Sequence, residues 1–105
     1  MSKILYNITI KVSHEIHEDW MQWMKADHIP KVMKAGDFLS YRVQRIIGDE
    51  SDDGISYAIG YVAQSMASLH AYQVKHASQL QKEHQERYQG HFAAFRTLME
   101  IVGEG

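Results

Sequence analysis

The sequence predicts the α+β class: a single antiparallel sheet with its helices packed on one face. Three observations carry this. Two stretches alternate apolar and polar side chains with period two, and two others rich in β-branched and aromatic residues read as strands. Two longer stretches repeat near 3.6 residues, as helices do. Their order, β-α-β-β-α-β, is the split βαβ arrangement. At 105 residues the chain is expected to form one domain, 1–105. A chain of that size buries only about 60–70% of its unfolded surface, so a partner would help it.

The first strand is Ile4–Val12, in which Ile4, Tyr6, Ile8, Ile10 and Val12 face one way and Leu5, Asn7, Thr9 and Lys11 the other. Ser13 is placed to cap the helix that follows, with Glu15, Glu18 and Asp19 near the positive end of its dipole. At roughly 100° per residue, Ile16, Trp20 and Trp23 share a face, with Met24 at its margin. Pro30, the only proline, removes a backbone donor and disfavours helix at Ile29. The first helix is therefore expected to stop near Asp27, a short second one to run from Pro30 to Ala35, and Gly36 to end it at C′. Phe38–Ile47 is the next strand, "GDESDDG" an acidic hairpin loop, and Ile55–Ala63 a third strand with Ile55, Tyr57, Ile59 and Tyr61 on one side. Ser65 opens a long helix to about Tyr88, and Phe92–Val102 closes the chain as a strand.

The second face of this sheet gathers Asn7, Thr9, Lys11, Ser56, Ala58 and Gly60, with Ser40, Arg42 and Gln44. The last strand adds either Arg96 and Glu100 or Phe95 and Met99, depending on its register. Such a face either meets water or meets a copy of itself. Ala58 and Gly60 allow close approach, and the Arg and Gln side chains would keep the contact partly wet.

Composition excludes several classes. A net charge of −2 without a basic run disfavours nucleic acid. The absence of cysteine removes disulfides and thiolate zinc sites. The N-terminus alternates, so it reads as neither signal peptide nor membrane span, and a cytoplasmic protein without membrane attachment is expected. Seven histidines suggest a metal, but "HEIH" (His14–His17) is one residue short of the zincin motif, and His70 and His76 lie about 120° apart on the helix. No metal site is assigned. Nucleophile elbows, phosphate loops and dinucleotide fingerprints are absent from the sequence.

The candidate chemistry lies in "WMKADHIPKVMKAG" and in the long helix. In one account Asp27 caps the second helix and His28 satisfies terminal carbonyls. In the other, His28 is a general base beside an apolar cleft and Asp27 orients or tunes it. On the long helix Met66, Leu69, Ala77 and Leu80 cluster, and Gln73 and His84 fall in the same arc. Those two either find structural partners or line a pocket that is apolar with a few polar groups. Tyr6, Tyr57 and Tyr61, with Trp20 and Trp23, belong on the core side. Three tyrosine hydroxyls on one face need partners, which suggests a polar-lined cavity at its border. Arg42 would supply a positive charge to an anionic or enolate ligand, or face the interior of a dimer.

The pattern W-x4-H-x-P-x5-G-x4-Y-R, here Trp23, His28, Pro30, Gly36, Tyr41 and Arg42, resembles the dimeric α+β barrel superfamily of EthD-like proteins and antibiotic-biosynthesis monooxygenases. "HIPKVM" and "AFRTLMEIV" look closer still to a bacterial family known as a domain of unknown function. The resemblance implies a ferredoxin-like domain, a homodimer closed into a barrel through the sheet faces, and a cleft between sheet and helices. Superfamily members include cofactor-free oxygenases, isomerases, haem-degrading enzymes and ligand-sensing domains, so the fold selects no function and no catalytic role travels with His28. The expectation is a small-molecule-binding protein for an apolar or aromatic ligand, needing no cofactor. It would act as an oxygenase or isomerase on an aromatic or enolisable substrate, with His28 as base, Asp27 tuning it, and Trp23, Tyr6, Tyr61, Gln73, His84 and Arg42 around the ligand. The alternative is a non-catalytic dimeric module whose cleft is filled by its own side chains. An open cavity beside His28 and His84 separates the two.

Overall fold

A computed structural model describes residues 2–105. Strand β1 (Ile4–Val12) pairs antiparallel with β3 (Ile55–Ala63) on one side and with β4 (Phe92–Glu100) on the other. Strand β2 (Ser40–Arg45) completes the sheet, whose order is β2-β3-β1-β4. This is the ferredoxin-like α+β fold that the element order predicts. Strands β2 and β4 are both shorter than expected: β2 lacks Phe38 and Leu39 at its start and Ile46 and Ile47 at its end, and β4 lacks Ile101 and Val102.

The helical layer departs from expectation at the proline. The helix does not break. Helix α1 (His17–Trp23) passes through a π-helical turn (Met24–His28) into α2 (Ile29–Gly36) without interruption. In a regular α-helix the ring of Pro30 would collide with the carbonyl of Ala26, four residues back. The wide turn removes that conflict, because its bonds span five residues, as from the amide of Ile29 to the carbonyl of Met24. Ser13 is not the cap either. Residues 14–16 form a turn, and the Ser13 hydroxyl meets His91 Nδ1 at 3.2 Å instead. At the other end Asp37, not Gly36, takes the left-handed conformation (φ 50°). Gly36 is needed for space: a Cβ there would run into the ring of Phe38.

The second helical rod begins as expected. Ser65 caps α3 (Met66–Tyr72) by accepting from the Ser68 amide at 3.1 Å. A second π-helical turn (Gln73–Ala77) leads into α4 (Ser78–Tyr88). That turn changes which residues face the sheet. Leu69, Tyr72, Ala77, Leu80, His84 and Tyr88 are buried, whereas Met66 and Gln73 are exposed. The core between layers is built on Val12, Trp20, Ile29, Ile59, Tyr61 and Leu69. No helix among the described residues is long and apolar enough to cross a membrane.

Candidate functional site

Alternation decides what each strand offers to the helices. Tyr6 pairs with Tyr61 and with Leu98, and Ile8 with Ile59 and Arg96, so these residues share the helix-facing side. Phe95 and Met99 therefore go to the opposite face, and Arg96 stands on the helix-facing side, where it remains exposed to solvent. Between this side of the sheet and the two helical rods a cleft of about 510 Å³ stays open. Its walls mix apolar side chains such as Ile8, Ile59 and Leu80 with the phenols, imidazoles and amides of residues such as Tyr61, His84 and Gln81.

His28 and His84 both border the cleft, one from each rod, with ring centroids 5.7 Å apart. The wide turn at Met24–His28 delivers the first, and α4 the second. The indole nitrogen of Trp20 donates to His84 Nε2 at 2.9 Å. An indole N–H only donates, so His84 carries its own proton on Nδ1. His28 stacks on Trp23 at 5.0 Å, and its Nδ1 is buried with no partner. With Nδ1 shut away, Nε2 is the nitrogen a ligand can meet. Burial is the main reason both imidazoles are pushed down, to about 4 in each case. Glu83 and Asp27 pull His28 back upward to a lesser extent, and the charge of Arg96 depresses both rings. Both are therefore neutral near pH 7.

Tyr6 and Tyr61 line the cleft as expected, and Tyr72 joins them. Tyr6 accepts from Arg96 Nε at 3.1 Å. Desolvation pushes Tyr61 and Tyr72 well above the ordinary tyrosine range, so they stay protonated. Tyr57 is satisfied away from the cleft by His17, 2.5 Å from its hydroxyl.

Four expected site residues stand elsewhere. Asp27 forms an ion pair with Lys31 at 3.1 Å and makes no contact with the His28 ring, because the turn points it to the surface. Trp23 backs His28 without reaching the cleft. Gln73 is turned out to water by the wide turn. Arg42 pairs with Gly60 and lies on the open face of the sheet. The cleft is lined instead by the cations Lys82 and Arg96, the latter one of the two register alternatives for the last strand; the residue opposite it, Ile8, is what reveals its side.

The sequence profile of the family described as "Domain of unknown function (DUF4286)" matches residues 3–102. No curated protein matches the chain. Among solved structures the chain is similar to a dimeric ferredoxin-like protein from an uncultured marine organism, with a TM-score of 0.74 at 13% identity over 100% of both chains. An EthD-like protein from Ralstonia eutropha aligns with a TM-score of 0.71 and 15% identity, over 100% of this chain and 96% of that one. SnoaB, a cofactor-independent oxygenase from Streptomyces nogalater, gives 0.64 at 10% identity, over 99% of this chain and 97% of its own. Identities this low establish a shared fold alone.

Proposed function

The chain belongs to the DUF4286 family, and we propose that it is a small-molecule-binding protein whose ligand occupies the cleft beside His28 and His84. The observation that carries this reading is the cleft itself, about 510 Å³ left unfilled where buried His84 and half-buried His28 face each other. A module that filled its own cleft would have spent those side chains on packing. The reading takes residues 1–105 as one domain. It takes the second partner to be another copy of the chain, joined through the open sheet face, where Ala58 and Gly60 leave room and Phe95 and Met99 are exposed. The dimeric relative with the same fold supports this pairing.

For an aromatic or enolisable ligand, His28 Nε2 is the proton acceptor. His84 Nδ1–H is the donor to the oxygen on which charge develops. The unliganded basicity of His28, near 4, is low for this work, since a general base serves best near the working pH. A negative charge forming about 4 Å away corrects it. At an effective dielectric of about 20 that charge contributes about 4 kcal/mol, or roughly three pKa units.

The test uses 2-tetralone, an uncharged aromatic ketone with exchangeable α-protons. Calorimetry reads its binding, and proton NMR in D2O reads its exchange. The wild type is expected to bind it and to speed exchange about 10²- to 10⁴-fold over buffer. His28→Ala is expected to lose that acceleration while its affinity changes by less than about tenfold. Binding with no acceleration would remove the base role and leave a binding protein.

A further inference from the structure

The charge around the cleft is one-sided. Its walls carry Arg96 and Lys82 and no carboxylate. Lys82 has Glu86 at 3.9 Å on the outer surface of the helix. Arg96 has no acidic neighbour within ion-pair distance among the described residues. Its one protein hydrogen bond, from Nε to the Tyr6 hydroxyl at 3.1 Å, anchors the guanidinium on the stem side and leaves both Nη groups unengaged. The neighbouring polar groups are imidazoles and phenols, none of them anionic. Arg96 is exposed where the cleft opens, and a planar cation held this way keeps free the donors that grip a planar anion by two parallel hydrogen bonds.

Building on the binding reading above, we infer that the ligand is a small apolar monocarboxylate, its hydrocarbon body in the cleft and its carboxylate on Arg96. A single guanidinium balances one negative charge. With Lys82 turned to Glu86, a phosphate dianion would call for a second unpaired cation that this wall does not have. Size also limits the ligand. At about 30 Å³ per water-sized group, the cavity takes a body of about a dozen to seventeen heavy atoms.

The test is a matched pair of probes, 2-naphthoate and 2-naphthamide, which share a skeleton and differ in charge. Both are titrated calorimetrically against the whole chain at pH 7. The wild type is expected to bind the naphthoate at least about tenfold more tightly, as a charge-assisted fork does. Arg96→Gln should bring the naphthoate down to the level of the amide and leave the amide within about threefold of its wild-type affinity. Arg96→Lys, which keeps the charge and loses the fork, should fall between them. Equal affinity for both probes in the wild type would overturn the carboxylate assignment and leave the cleft-binding reading intact. A naphthoate preference that survives in Arg96→Gln, or that disappears only in Lys82→Gln, would overturn the role of Arg96. Failure of both probes to bind would overturn this inference and the reading beneath it together.

Discussion

Trp20 determines what His84 can do. Its indole proton occupies Nε2, so a proton added to His84 must displace the hydrogen bond that the Trp20 indole makes. His28 resists protonation chiefly because burial strips the imidazolium of its solvation. Both rings titrate near 4 in the folded chain and near 6.5 when unfolded. Between those values the unfolded state binds more protons, so stability is complete above about pH 6.5 and is lost as pH falls toward 4. The upper bound is about 3 kcal/mol per imidazole at pH 4, reduced where solvent reaches the rings. Urea midpoints taken at pH 7, 5.5 and 4 are expected to fall steeply. The combined change His28→Asn and His84→Gln should flatten that slope, and an unchanged slope would assign the acid sensitivity to other groups. The two histidines were legible in the sequence because one precedes the only proline and the other sits in an apolar helical arc. Arg96 was legible only as one of two alternatives. Alternation says which residues of a strand share a side, and only the pairing with Ile8 says which side that is.

At the scale of elements, the instructive feature is that each rod contains one wide turn, Met24–His28 in the first and Gln73–Ala77 in the second. Strand positions were readable to the residue in β1 and β3, because a period of two leaves no freedom once one face is buried. The wide turns were not readable. A helical wheel assumes a constant angle per residue, and one π-helical turn shifts every residue beyond it. That shift is why Gln73 is exposed and Tyr72 buried, against the regular wheel. The end of α2 offers a clean test of the same local physics. Asp37 is exposed and holds a left-handed conformation that glycine adopts more easily, while Gly36 is buried against the Phe38 ring. Asp37→Gly is expected to stabilise the fold by up to about 1 kcal/mol. Gly36→Ala should destabilise it by about 1–3 kcal/mol through overpacking. In thermal melts these would appear as opposite shifts of several degrees. Shifts of the same sign at the two adjacent positions would refute this division of roles.

The whole molecule has two sheet faces of different character, and the difference bears on assembly. The helix-facing side is largely buried along β1 and β3 and largely exposed on the edge strands β2 and β4. The other side carries Asn7, Thr9, Ala58 and Gly60 in the middle, with Phe95 62% and Met99 41% exposed on the edge strand β4. Water alone would tolerate such a face, since antiparallel sheets are often solvated on one side. An aromatic ring and a thioether standing next to a strip of small side chains are better explained by contact with a second sheet, where the bulky groups of one copy meet the small groups of the other. Sedimentation equilibrium at micromolar concentrations is therefore expected to give twice the chain mass. Phe95→Glu places a charge within that contact and should yield a monomer. Because Phe95 lies outside the core, the monomer should keep the wild-type circular dichroism and a thermal midpoint that no longer depends on concentration. It should also keep the cleft, which lies on the opposite face of the sheet from Phe95. Retention of the dimer in Phe95→Glu would move the interface to the helices or the strand edge, and a monomeric wild type would leave the open face to water.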